Sequence, residues 1–297
     1  MTTTLKYTKR KFMKGSEIRK RLHSGECVIG THITGLPNPN VTSLAAGMEL
    51  DFAFFCTEHL PLDRNEISLL CRYYAQQAGV SPIVRVPSAD DTASIATTLD
   101  AGADGIIVPY IETEHQVRQA SAAIRYRPIK GQIQQELIEG QRSLSLKMET
   151  YLEDFNRDNY LIIGIESVPA IKKLEALITA APVDGVFLGP HDITVSMGIP
   201  EEYSHPDFVQ AVEDIILRCR RNNVGVGIHL PLLQIDPEIL AKWTGAGMNF
   251  LINGTDIAIL REAMNSQIRR LRDFTQTSTS QEPKPESTHK QAKTCIV

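Results

Sequence analysis

The chain has 297 residues, of which 42% are hydrophobic and 22% charged, and its formal net charge is −4. This length suits a single large α/β domain with a sizeable core. The weakly acidic balance gives no general attraction to nucleic acid or to an anionic membrane, and no apolar run approaches the roughly 18 residues of a bilayer span.

The five cysteines are scattered and show no CxxC pair, so we expect reduced thiols and a cytoplasmic location. The basic amino terminus lacks the apolar core of a secretory signal, and an organellar transit peptide is the minor alternative. We interpret residues 1–15 as an N-terminal extension, 16–275 as the folded domain and 276–297, which is almost devoid of apolar residues, as a disordered tail.

Short apolar runs alternate with helical patterns along the whole domain. Most runs are unbroken rather than alternating, which is typical of parallel strands covered by helices on both faces. The eight predicted strands are 26–33, 51–59, 81–87, 105–111, 160–167, 185–192, 224–230 and 249–256.

Helix-start signals stand between the strands. Asp63 with Glu66 and Thr113 with Gln116 have capping-box spacing, and Gly79 predicts the end of the first of these helices. Ser167 followed by Pro169 is typical of a cap and first turn, and Asp236-Pro237 opens another helix.

Eight strand–helix units predict a (β/α)8 barrel, because parallel strands need right-handed crossovers and eight of them close a sheet. A doubly wound open sheet is the alternative, but the segment after the first strand lacks GxGxxG spacing. The longer, polar connection at 128–158 is expected to cover the barrel mouth or a neighbouring subunit.

Polar residues cluster at the carboxyl ends of the predicted strands, where barrel enzymes hold their active sites. They are Glu58, His59, Arg85, Glu166, Asp192, His229, Asn253 and Asp256. Glu166 and Asp192 end consecutive strands, so their carboxylates can converge on a hard divalent cation such as Mg²⁺ or Mn²⁺. Arg85 is suited to stabilise an enolate oxygen, and His59 to act as a general base.

Each residue also has a simpler interpretation. A lone histidine at a strand end is more often structural, and Asp192 after Gly-Pro fits a helix cap. Glu166 alone suits a lysine partner, and Asp100 suits a solvated helix end. The combination on four strands favours a site over capping.

Several segments resemble the HpcH/HpaI aldolases, which are metal-dependent pyruvate aldolases of the phosphoenolpyruvate/pyruvate barrel superfamily. They are "EHLPLD", "PIVRVP", "LDAGADGIIVPYIET", "GIESVPAI" and "VDGVFLGPHDITVSMGIP", in this order between about residues 16 and 265. The resemblance implies cleavage of a 4-hydroxy-2-oxo acid into pyruvate and an aldehyde, or the reverse condensation.

The resemblance also implies roles for individual residues. Glu166 and Asp192 match the ligands of a divalent metal (Mg²⁺, Mn²⁺ or Co²⁺), and His59 matches a base that acts through a metal-bound water. Arg85 matches the residue that stabilises the pyruvate enolate. Asp100 matches an acid that an adjacent subunit supplies to the histidine, so a homo-oligomer, a hexamer in this family, is implied. The substrate carboxylate would lie at the turn Gly189-Pro190-His191, beside Asp192.

Four departures from the family pattern suggest an atypical substrate or reduced activity. Cys56 opens "CTEH" in place of "DGEH", Gly164 replaces a glutamine, and His191 replaces a small residue. "RYRPIKGQIQQE" replaces a glycine-rich segment. A CoA-ester lyase of the citrate-lyase β type and a non-catalytic barrel remain the alternative functions.

Overall fold

The computed structural model describes residues 12–34, 47–230 and 235–279. Within them, eight parallel strands close into one barrel in chain order, with β8 paired to β1. The predicted (β/α)8 barrel is confirmed, and the open sheet is wrong. The strands are Val28–His32 (β1), Phe52–Cys56 (β2), Ser81–Arg85 (β3), Gly105–Val108 (β4), Tyr160–Ile165 (β5), Gly185–Leu188 (β6), Gly225–Leu230 (β7) and Phe250–Thr255 (β8).

The described helices precede β1 or follow a strand. They are Gly15–Ser24 (α1), Arg64–Tyr73 (α2, continued by a π-helical turn over Tyr74–Ala78), Thr92–Ala101 (α3), Glu114–Arg125 (α4), Gly131–Ile138 (α5), Leu146–Phe155 (α6), Val168–Lys172 (α7), Leu174–Thr179 (α8), Pro190–Ser196 (α9), Pro206–Arg221 (α10), Pro237–Gly245 (α11) and Asp256–Thr279 (α12). No helix in the described ranges is long and apolar enough to cross a membrane.

The local helix signals act as the sequence predicts. Asp63 and Thr113 each complete a capping box, and Gly79 ends the π-helical turn in the left-handed conformation. Ser167 accepts a hydrogen bond from the backbone amide of Ala170. The helix expected after Ser167 is interrupted at Lys173, so it forms two short helices, α7 and α8.

The observed strands are shorter than the predicted ones, and the difference lies mainly at their carboxyl ends. β2 ends at Cys56, β5 at Ile165 and β6 at Leu188. The acids and histidines that follow leave the hydrogen-bonded ladder. Their side chains are therefore free to turn towards the barrel mouth.

The barrel interior is closed at the amino ends of the strands. Helix α1 places Ile18 and Leu22 in the same cluster as the interior aromatic residues Phe52, Tyr160 and Phe250. A second, larger core lies between the strands and the surrounding helices. The carboxyl ends of the strands are thus the side from which a small molecule reaches the interior.

The segment at 128–158 does not cover the mouth as one of the two expectations had it. Its helix α5 contacts α4 through Gln135 and Gln119, and Asn156 donates to the carbonyl of Arg125 near the amino end of β5. Contact with a neighbouring subunit remains a prediction.

The chain divides into two compact units, residues 1–257 and 258–297. Helix α12 includes residues 276–279, the first four residues of the predicted tail. Residues 1–11 of the predicted extension and 280–297 of the tail lie outside the described ranges.

Candidate active site

The uppermost layer of the barrel interior is polar and comes from alternate strands. It consists of His32, Arg85, Glu166 and His229. His32 and Arg85 end β1 and β3, Glu166 directly follows β5, and His229 is the penultimate residue of β7. An eight-stranded barrel fills its interior in such layers of four. The sequence identified three members but missed His32, which sits inside the apolar run of the first strand.

Glu166 and Asp192 approach the same point beside Gly189. A Cβ atom added to Gly189 would lie 3.0 Å from Glu166 Oε1 and 3.1 Å from Asp192 Oδ2. The two carboxylate oxygens therefore border one small space that only a glycine leaves open. The structure brings the two predicted metal ligands together.

Glu166 is held by one oxygen and leaves the other without a donor. The backbone amide of Tyr110 donates to Oε2 at 2.9 Å, and Tyr110 has a left-handed φ of 50°. The buried Oε1 has no hydrogen-bond partner among the described residues, and Arg85 Nη1 lies 3.7 Å from it. Burial raises the pKa of Glu166 to about 7, although Arg85 opposes the shift.

This arrangement fits a divalent cation. Two carboxylates with one unsatisfied buried oxygen form a hard donor set, which Mg²⁺ and Mn²⁺ complete with water or substrate oxygens. No group of three or more His, Cys, Asp or Glu side chains in the described ranges is arranged around a metal position. Glu166 and Asp192 could therefore supply two ligands at this point, and the remaining ligands would come from solvent or substrate.

Arg85 is held rigidly in the mouth. Its Nε and Nη2 donate to Cys56 Sγ at 3.3 and 3.2 Å, and its Nε lies 2.9 Å from Glu58 Oε2. The guanidinium carbon is 5.9 Å from the ring centre of Phe54 and 5.8 Å from that of Phe187. These contacts aim the charge at the space beside Glu166.

His59 lies at the rim, with 63% of its side chain exposed. Its Nε2 is 3.9 Å from Glu58 Oε2, so Glu58 lies between the predicted base and Arg85. The sequence placed Glu58 at the strand end but gave it no role. The thiol of Cys56, which replaces the acid of the family pattern, accepts from the amide of His59 at 3.4 Å.

Asp100 does not join the other site residues within one chain. It lies in the last turn of α3, which runs from the barrel mouth towards the start of β4, and it pairs with Arg127 at 3.3 Å. Its side chain is 60% exposed. Contact between Asp100 and His59 would require a second subunit, as the resemblance implies.

The turn after β6 presents backbone rather than side chains. Gly189 and Pro190 are buried, and α9 begins at Pro190, so the amides of His191 and Asp192 lie in a first helical turn that supplies no acceptor for them. The His191 side chain is 60% exposed and 3.7 Å from Glu201. The His191 side chain is therefore directed towards solvent and Glu201 rather than towards Glu166 and Asp192.

Gly164 has a structural reason in this chain. A Cβ atom there would lie 3.0 Å from Pro109 Cα and 3.2 Å from the amide nitrogen of Tyr110. The backbone after β4, which holds Glu166, thus leaves little room for a side chain at position 164.

A family model described as HpcH/HpaI aldolase/citrate lyase matches residues 34–263. The chain belongs to this family. The resemblance inferred from the sequence is therefore confirmed, and the chain is a carbon–carbon lyase of the aldolase type.

Individual relatives agree with this membership. A pyruvate aldolase of Rhizobium etli is 33% identical over 253 residues, which cover 82% of this chain and 93% of that protein. A 2-keto-3-deoxy-L-rhamnonate aldolase of Salmonella paratyphi B is 27% identical over 88% of this chain and 95% of its own. The solved HpcH/HpaI aldolase of Desulfitobacterium hafniense superposes with a TM-score of 0.72 at 23% identity, covering 86% of this chain and 96% of that one.

Proposed function

We propose that this family member is a metal-dependent pyruvate aldolase that cleaves a 4-hydroxy-2-oxo acid into pyruvate and an aldehyde, and catalyses the reverse condensation. The convergence of Glu166 and Asp192 beside Gly189 carries this proposal. The names of the relatives from Rhizobium and Salmonella support the same substrate class.

Glu166 and Asp192 would hold Mg²⁺, Mn²⁺ or Co²⁺. When bound, the cation supplies a Lewis acid that polarises the 2-oxo group. Glu166 must be ionised to bind it, and its raised pKa reflects the cost of that buried charge without a cation. Tyr110 keeps the carboxylate oriented meanwhile.

Arg85 would stabilise the negative charge that develops on the keto oxygen. Cleavage of the C3–C4 bond leaves its electron pair on C3, and the charge is delocalised onto that oxygen as an enolate. A guanidinium already locked by Cys56 and Glu58 needs no reorganisation during this step. Protonation of C3 then yields pyruvate.

His59 would remove the proton of the 4-hydroxyl group as the aldehyde forms. Its exposed position at the rim allows the proton to pass to solvent afterwards. The substrate carboxylate would lie against the turn Gly189-Pro190-His191 beside Asp192, where the backbone amides of His191 and Asp192 would donate to it. Glu58, between His59 and Arg85, would position both side chains.

We further propose a homo-oligomer in which a neighbouring copy brings its Asp100 to His59. The position of Asp100 supports this, because its side chain is exposed and pairs with Arg127 rather than with another residue of the site. Sedimentation analysis of the full chain tests the assembly. A cytoplasmic location stays a prediction, supported by free cysteines at 27, 56, 71 and 219.

The decisive experiment is condensation of pyruvate with a panel of aldehydes. The chelated protein is supplemented with Mg²⁺, Mn²⁺ or Co²⁺, and products are detected by mass. We expect a 4-hydroxy-2-oxo acid only with metal, and loss of both product and calorimetric metal binding in Asp192→Asn. Undiminished condensation after exhaustive chelation would refute the metal role, and turnover of a CoA thioester instead would favour the citrate-lyase alternative.

A further inference from the structure

Two histidines occupy the part of the mouth opposite Glu166. His32 ends β1 and His229 lies near the end of β7, with β8 between these strands. Their ring centres are 5.2 Å apart in an edge-to-face arrangement. The chemistry described above uses neither of them.

The pair faces the same space as Arg85. The ring of Phe54 lies beneath it, 4.4 Å from His32 and 6.2 Å from His229, and the Arg85 guanidinium carbon is 5.9 Å from the same ring. The Phe54 ring therefore contacts both histidines and Arg85 from below. A molecule that contacts Arg85 at one end can reach the histidines with its other end.

His32 is buried but has unused polar atoms. Its residue is only 7% exposed, and neither Nδ1 nor Nε2 has a hydrogen-bond partner within the described part of the chain. Leaving a buried polar group without a hydrogen-bond partner is unfavourable. A ligand that pairs these nitrogens would remove that cost.

The hydrogen bond of His229 determines which of its ring nitrogens is the donor and which is the acceptor. Its Nε2 lies 3.4 Å from the carbonyl oxygen of Gly254, which only accepts, so Nε2 carries the hydrogen. Burial lowers the pKa of His229 to about 4 and that of His32 to about 3, so both rings are neutral at neutral pH. His229 Nδ1 is then an acceptor, and His32 offers one donor and one acceptor.

We propose that His32 and His229 determine the aldehyde specificity by binding a hydroxyl group on the aldehyde-derived end of the substrate. A hydroxyl can accept from the one donor and give its single hydrogen to one of the two acceptors. A carboxylate only accepts and would pair with neither acceptor nitrogen, and an alkyl end would pair with none of the three nitrogens. This inference rests on the proposed aldolase function.

The test compares two aldehydes of nearly equal size in the condensation with pyruvate, glycolaldehyde and propanal. The quantity measured is the ratio of their kcat/KM values in wild type divided by the same ratio in a variant, because intrinsic aldehyde reactivity cancels. We expect a tenfold to hundredfold decrease in selectivity for glycolaldehyde in His32→Phe and in His229→Phe.

His229→Asn is the matched control, because its amide oxygen can still accept from the hydroxyl. It should retain more selectivity than His229→Phe, and thermal unfolding confirms that each variant is folded. Equal losses with both aldehydes would overturn the specificity role and leave the aldolase standing. Absence of condensation with every aldehyde would refute the aldolase, and the specificity role with it.

Discussion

The two ends of the barrel treat their buried polar groups differently. At the amino ends, Asp184 accepts from His23, Arg125 and the amide of Leu161, and Asn249 bonds through both side-chain polar atoms. At the carboxyl ends, both ring nitrogens of His32 and Oε1 of Glu166 are buried without hydrogen bonds. The amino end is arranged for stability, and the carboxyl end keeps its hydrogen-bonding capacity for a ligand.

Unpaired atoms in the described ranges are not confined to the mouth, but their context differs. Arg21 Nε, Arg125 Nε and Asn156 Oδ1 also lack hydrogen bonds. Each of these side chains is nevertheless anchored by another of its atoms. Both ring nitrogens of His32, by contrast, are unpaired, so that side chain has no polar anchor.

The largest expected effect is on activity, from Glu166→Gln. Removal of one ligand charge should lower kcat by about 10³-fold. Because the folded-state pKa of Glu166 is raised to about 7, its contribution to stability is lost as pH rises through 7. The metal-free variant should therefore be at least as stable as wild type at pH 8. A large loss of stability in urea unfolding would contradict the contrast between the two ends.

For Asp184→Asn we expect the opposite result, a loss of stability without a loss of activity. Burial acts to raise the pKa of Asp184, but the hydrogen bond from His23 and the charge of Arg125 hold it below its usual value. Loss of the charge from this buried pair should cost about 3–5 kcal/mol of unfolding free energy, with kcat of the folded fraction unchanged. Asp214→Asn, at an exposed pair with Arg218, is the control and should cost under about 1 kcal/mol.

A smaller, pH-dependent effect is expected for Asp104→Asn, also at the amino end. Burial raises the pKa of Asp104 to about 7, while the hydroxyl of Ser81 donates to it at 2.9 Å. Its stabilising contribution is present below its unfolded pKa and is lost as pH rises through 7. The asparagine variant should gain on the order of 2 kcal/mol relative to wild type between pH 5 and 8. A gain independent of pH would show that charge is not the cause.

Much of the fold could be predicted because its signals are local. Unbroken apolar runs identified all eight strands, and the capping boxes at Asp63 and Thr113 identified two helix starts. The ends of the strands were predicted less well. The prediction extended the second strand to residue 59 and so included Glu58. The hydrogen-bonded ladder of β2 already ends at Cys56.

The sequence by itself determined the closed barrel, the aldolase family and the candidates Arg85, Glu166 and Asp192, because strand periodicity and short motifs are properties of neighbouring residues. Only the tertiary structure decided that Glu58 lies between Arg85 and His59 and that His32 faces His229. It also decided that the backbone of Pro109 and Tyr110 leaves little room for a side chain at Gly164. Those contacts join residues from different strands, and closure of the barrel alone brings them within reach.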